Sequence, residues 1–148
     1  MTDTVTMVAS LGYVHSKYKN LISDLTGDFI IDALDYALEV PRAAPLTYSL
    51  GFNIDGNLGT WRSITRISYY HRDKSYYNEN NQGFINEQDI LNFGYDIYSS
   101  DGKINIGIYG KNLSNEVKHG GDTNLSFGGT FAPLAKGKIV GAELVYKF

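Results

Sequence analysis

Residues 46–54 read L-T-Y-S-L-G-F-N-I. Leu46, Tyr48, Leu50, Phe52 and Ile54 recur at every second position, with Thr47, Ser49, Gly51 and Asn53 between them. A period of two belongs to a strand, because successive side chains leave a pleated backbone on opposite faces. A helix would need its apolar positions three and four apart. The stretch therefore predicts a strand over about 45–55, with one apolar and one polar face.

The same alternation recurs on both sides of it. In about 4–17, Val5, Met7, Ala9, Leu11 and Tyr13 oppose Thr6, Ser10 and Gly12. In about 59–72, Trp61, Thr65, Ile67 and Tyr69 oppose Arg62, Arg66, Ser68 and Arg72. In about 88–99, Leu91, Phe93, Tyr95 and Ile97 oppose Asn92, Gly94 and Asp96. In about 103–111, Ile104, Ile106 and Ile108 oppose Asn105, Gly107 and Tyr109. In about 137–148, Ala142, Leu144, Tyr146 and Phe148 oppose Gly141, Glu143, Val145 and Lys147.

The connections alternate in length. Residues 18–44, 73–87 and 112–136 are long; D-G-N-L-G at 55–59 and S-S-D-G-K at 99–103 are short, and each carries the Asp-Gly of a tight hairpin. An up-and-down antiparallel meander of six strands follows, with its short turns at one end and its long loops at the other. Outer-membrane barrels have that asymmetry, and strands of about 9–11 residues suit a tilted bilayer crossing. Within 18–44, the run D-F-I-I-D-A-L-D-Y-A-L-E-V predicts a short amphipathic helix ended by Pro41, with Asp28, Asp32, Asp35 and Glu39 on its solvated face.

Composition agrees with an all-β chain. Twelve Tyr and 16 Gly against 3 Pro suit pleated surfaces, and Tyr also collects at membrane–water boundaries. The 13 Lys+Arg against 16 Asp+Glu leave a formal charge of −3, which argues against nucleic acid as a partner. No cysteine is present, so neither disulfides nor thiolate metal sites are expected. No apolar run reaches the roughly 20 residues of a membrane helix, and M-T-D-T-V-T-M has no leader character.

Four stretches carry a family resemblance. A-A-P-L-T-Y-S-L-G-F (43–52), R-I-S-Y-Y-H-R-D-K-S-Y-Y-N (66–78), I-N-I-G-I-Y-G-K-N-L-S-N-E (104–116) and the ending E-L-V-Y-K-F (143–148) resemble the C-terminal part of a TonB-dependent outer-membrane receptor. The resemblance covers essentially all of residues 1–148. It implies a segment of a larger transmembrane β-barrel, in a family whose barrels have about twenty-two strands around a plug. Six strands are too few to close a membrane barrel, so the plug and earlier strands are expected outside this sequence.

The resemblance further implies a bacterial outer-membrane location and uptake of a scarce nutrient: ferric siderophore, haem, cobalamin or glycan. Its implied partners are outer-membrane lipid, the barrel-assembly machinery, the inner-membrane TonB complex acting through the missing plug, and a small-molecule or metal-chelate ligand. Leu144, Tyr146 and Phe148 match the family's terminal assembly signal.

Individual side chains add less. Arg62, Arg66 and Arg72 share a strand face, where they either steer an anionic ligand or pair with a plug or with carboxylates of neighbouring strands. His15, His71 and His119 lie near loop ends; they are metal or haem contacts, or solvated rim histidines. Asn112-Leu-Ser fits a glycosylation pattern that is incidental in a bacterial barrel. No catalytic constellation or cofactor motif is present, so no enzyme activity and no cofactor are expected. Two other readings use the same strands: a small stand-alone β protein that binds a ligand or adheres, and a homo-oligomer pooling six strands per chain in a shared barrel.

Overall fold

The computed structural model describes residues 4–118, 123–124 and 130–148. Six strands make one antiparallel sheet: β1 (Thr4–Tyr13), β2 (Leu46–Leu58), β3 (Trp61–Arg72), β6 (Gln88–Tyr98), β7 (Ile104–Lys111) and β10 (Ile139–Tyr146), adjacent in that order. Two-residue ribbons stand in the loops: β4 (Ser75–Tyr76) with β5 (Phe84–Ile85), and β8 (Thr123–Asn124) with β9 (Thr130–Phe131). Among the described residues β1 pairs only with β2, and β10 only with β7, so both edges of the sheet are open.

Register keeps the six alternations in phase. One row crosses the sheet as Met7, Phe52, Ile67, Phe93, Gly110 and Val140. The row beside it, on the opposite face, is Thr6, Asn53, Arg66, Gly94, Tyr109 and Gly141. A slip of one residue in any strand would exchange its faces. The meander holds as read, with the three long loops at one end.

Four local expectations are corrected. The first strand stops at Tyr13 rather than near residue 17: Val14 still donates to the Pro45 carbonyl at 2.9 Å, but proline has no N–H with which to continue the ladder. Asp55-Gly56 is not the hairpin turn. β2 runs through it to Leu58, Asp55 binds Arg62, and the turn is Gly59-Thr60, with Gly59 at φ 63°. The helix is one turn only, α1 (Ala33–Tyr36). Asp35 lies under the loop rather than on a solvated face.

The sheet does not enclose a core. Ala44 and Ile85, both in or under the loops, are the buried apolar residues among those described. Leu11 is 76% exposed and Leu144 72%, and Leu50, Ile67, Leu91 and Ile108 are exposed in the body of the sheet. The accessible surface is 10191 Å². A compact monomer of this mass would show about 7,500 Å².

Candidate functional site

Strand charge is sorted by face. Asp55, Arg62, Arg66, Arg72, Asp96, Lys111 and Glu143 all stand at the positions of the polar face. The other face carries Asp89 alone among the Asp, Glu, Lys and Arg of the six strands, and it lies at the long-loop end of β6. Apolar and aromatic side chains fill the rest of that face, with small Ser63, Thr65 and Gly110 among them.

The polar face is concave, with a hollow of about 940 Å³ lined in part by Asn53, Arg66, Asn92, Asp96, Tyr109 and Glu143. Four of its charges pair across strands. Arg62 Nε donates to the Asp55 carboxylate at 3.0 Å, and its Nη2 closes the second half of the pair. Arg66 Nη2 reaches diagonally to Asp96 on β6. Arg72, at the long-loop end, donates to the Ser75 hydroxyl at 3.0 Å. Of the readings open for these arginines, Arg62 and Arg66 take the neighbouring-strand carboxylates, and Arg66 alone of the three lines the hollow.

The opposite face carries a polar cluster where it meets the long loops. His71 stacks on Tyr48 of β2, with centroids 4.7 Å apart. Its Nδ1 lies 2.7 Å from Asp89 Oδ1, and its Nε2 3.0 Å from Asp73 Oδ1. Tyr69 donates its hydroxyl to the same Asp89 oxygen. The two carboxylates sit on opposite sides of the imidazole and do not surround one point. Among the described residues no group of His, Asp and Glu is placed to hold a metal ion. His71 is thus held on both ring nitrogens rather than standing free at the rim. His15 follows β1 and lines a smaller hollow with Tyr13, Tyr36 and Leu38. His119 lies outside the described residues.

The long loops are built by side chains that capture backbone N–H groups. Asp35 is fully buried and accepts from Asp32 N at 3.0 Å, Leu25 N at 2.7 Å and Thr26 N at 2.9 Å. These donors, Asp32 N–H foremost, hold its carboxyl down to about 2. Asp24 accepts from Gly27 N, Phe29 N and Thr26 Oγ1, and the Gly27 N–H chiefly lowers its pKa. Glu39 N donates to Asn81 Oδ1 and Asn81 Nδ2 donates back to Glu39 O, which joins the first loop to the second.

Asn112 closes the base of the third long loop. Its Nδ2 donates to Lys136 O at 2.9 Å and Glu116 O at 3.0 Å, and its Oδ1 accepts from Glu116 N. It is buried and left-handed at φ 50°, a conformation asparagine tolerates. An amide used this way presents nothing to a glycosyl carrier. Lys118 beside it is held above the ordinary lysine pKa, chiefly by Glu116 at 2.7 Å.

Leu144 and Tyr146 stand on the apolar face of the open edge strand β10, and Tyr146 meets Phe148 edge-on with centroids 5.1 Å apart. All three are exposed. No family model matches the chain, and neither a curated protein nor a solved structure matches it.

Proposed function

We propose that this chain is the C-terminal sector of an outer-membrane receptor barrel of the TonB-dependent kind, with its apolar face against lipid and its polar face toward the lumen. One observation carries the reading: apart from the His71–Asp89 pair at the long-loop end, strand charge lies on one face, while the apolar face is left uncovered. A water-soluble sheet needs that face buried, and two buried apolar residues do not bury it. In a bilayer the same face is already in its solvent.

Other features support it. Trp61 and Tyr146 stand toward the short-turn end of the apolar face, and Tyr13, Tyr48 and Tyr69 toward the long-loop end, as in paired aromatic girdles. The open edges of β1 and β10 call for further strands, since an unpaired edge in lipid costs several kcal/mol per polar group. Within such a barrel the sector's work is structural. Arg66, Asn53, Asn92 and Tyr109 meet the plug or a passing ligand, and the three long loops shape the mouth. Leu144, Tyr146 and Phe148 offer the apolar stripe read during assembly. The cargo is a scarce nutrient, and transport energy enters through the plug from the inner membrane.

The test is a blot of membrane fractions from the source cells with an antibody against residues 112–136. A band several times heavier than 16.5 kDa in the outer-membrane fraction supports the receptor. A band at the chain's own mass in the soluble fraction overturns it in favour of the small stand-alone binding protein.

A further inference from the structure

His71 is bonded on both ring nitrogens to acceptors. A neutral imidazole owns one N–H, and ionised carboxylates own none. Holding Asp89 on Nδ1 and Asp73 on Nε2 together therefore requires the imidazolium. The two carboxylates are not equally placed. Asp89 also accepts the Tyr69 hydroxyl and lies on β6. Asp73 is the first residue beyond β3, where the second long loop begins. Its backbone N–H donates to Leu46 O at 2.9 Å, and the next residues lead into the β4–β5 ribbon. That ribbon in turn touches the first loop, through Arg42 N donating to Tyr76 O at 2.7 Å.

We propose that protonated His71 is a pH-released pin holding the root of the second long loop to the sheet. When the Nε2 proton leaves to solvent, a lone pair faces Asp73 Oδ1 at 3.0 Å. Asp89 keeps the Nδ1–H and the Tyr69 O–H, so Asp73 is the carboxylate that parts. The pin is closed in acid and opens as pH rises through the His71 titration. The other groups that face it are the hydroxyls of Tyr48 and Tyr69 and, from the loops beside Asp89, Lys118 with its partners Glu116 and Glu87. Lys118 already spans two carboxylates, so it does not replace the lost imidazolium. A loop root that loosens with pH gives the rim at this end of the sheet two states.

The test uses the full chain labelled with ¹⁵N-histidine, in detergent micelles or in buffer, whichever keeps it monodisperse. His71→Gln assigns the resonance. Protonation of Nε2 and amide exchange at Lys74, Ser75 and Tyr76, corrected for intrinsic base catalysis, are followed from about pH 5 to 9. The expected result is a rise of roughly tenfold in exchange that tracks loss of the Nε2 proton. Asp73→Ala, a change at a partly exposed side chain that leaves neither acceptor nor donor for Nε2, gives the fast regime at every pH. Exchange that stays flat through the His71 titration, or that Asp73→Ala leaves unchanged, overturns the pin. A chain monodisperse only in buffer counts against the membrane reading and leaves this test intact.

Discussion

Asp96 lies folded over Gly107, its directly opposed neighbour on β7, and from there reaches back to Arg66 on β3. A Cβ built on Gly107 would stand 2.6 Å from Asp96 Oδ1. The glycine is thus what lets three strands share one ion pair inside the concave face. Gly107→Ala pushes the carboxylate off Arg66. The pair, half-exposed on its Arg66 side, is worth at most about 1 kcal/mol, so a loss of about 0.5–1 kcal/mol is expected. Urea unfolding, followed by Trp61 fluorescence, measures it. A Gly107→Ala, Asp96→Ala double variant that loses no more than Asp96→Ala alone ties the effect to this contact.

The two faces predict opposite tolerance to charge. Ile67 and Ser68 are adjacent on β3 and point to opposite sides. If the apolar face meets lipid as proposed, Ile67→Arg, which puts a guanidinium in the middle of that face, costs about 2–4 kcal/mol. Ser68→Arg faces the concave side and shifts stability by no more than about 0.5 kcal/mol. Matched unfolding from liposomes checks both. Equal tolerance at the two positions would sink the lipid assignment of the apolar face.

What was legible in the sequence is what period two encodes. Six strands and both faces follow from it, because side-chain direction repeats with every second residue whatever the loops do. Boundaries were less legible where a partner strand overrules local preference. Asp55-Gly56 has turn chemistry, yet pairing with Ser63 and Ile64, together with the Arg62 contact, draws it into β2. The helical spacing of 28–39 was outcompeted by Asp side chains. Asp24 takes the Phe29 N–H at 2.6 Å and Asp28 takes the Ile30 N–H at 2.9 Å, which leaves Phe29 at φ 70° and 96% exposed. The His71 cluster was not legible, because Asp89 reaches it only through the β3–β6 register. Sequence shows that residue as one acidic position at the edge of a run.

Asn112 offers a test of loop construction. Asn112→Ala leaves the carbonyls of Glu116 and Lys136 without their donor, and it puts a Cβ residue without a polar side chain at φ 50°. The lost side-chain hydrogen bonds, the one Oδ1 accepts from Glu116 N among them, and the left-handed backbone together cost about 2–4 kcal/mol. The expected sign is rapid proteolysis between residues 113 and 138 with the strands still protected. Asn112→Gly, which relieves the backbone but not the carbonyls, falls between wild type and Asn112→Ala.

The first loop has its own pH dependence, with the sign set by Asp35. Its folded pKa, about 2, lies below the ordinary aspartate value. The stabilisation is therefore complete above the unfolded pKa, near 3.9, and is lost as pH falls through about 2. Exchange at Leu25, Thr26 and Asp32, the three amides it binds, is expected to be flat from neutrality to about pH 4 and to lose protection below that. Asp35→Asn offers a weaker acceptor on one oxygen and an N–H₂ on the other, so one of the three donors meets a donor. Those amides should exchange roughly tenfold faster at neutral pH, with no acid transition left to observe. Strand amides such as Phe52 and Ile67 serve as the internal reference, since the loop carboxylate makes no contact with them. An acid transition that survives in Asp35→Asn would assign the loop's pH dependence to Asp24, whose own carboxylate binds Gly27 N at 2.8 Å and Phe29 N at 2.6 Å.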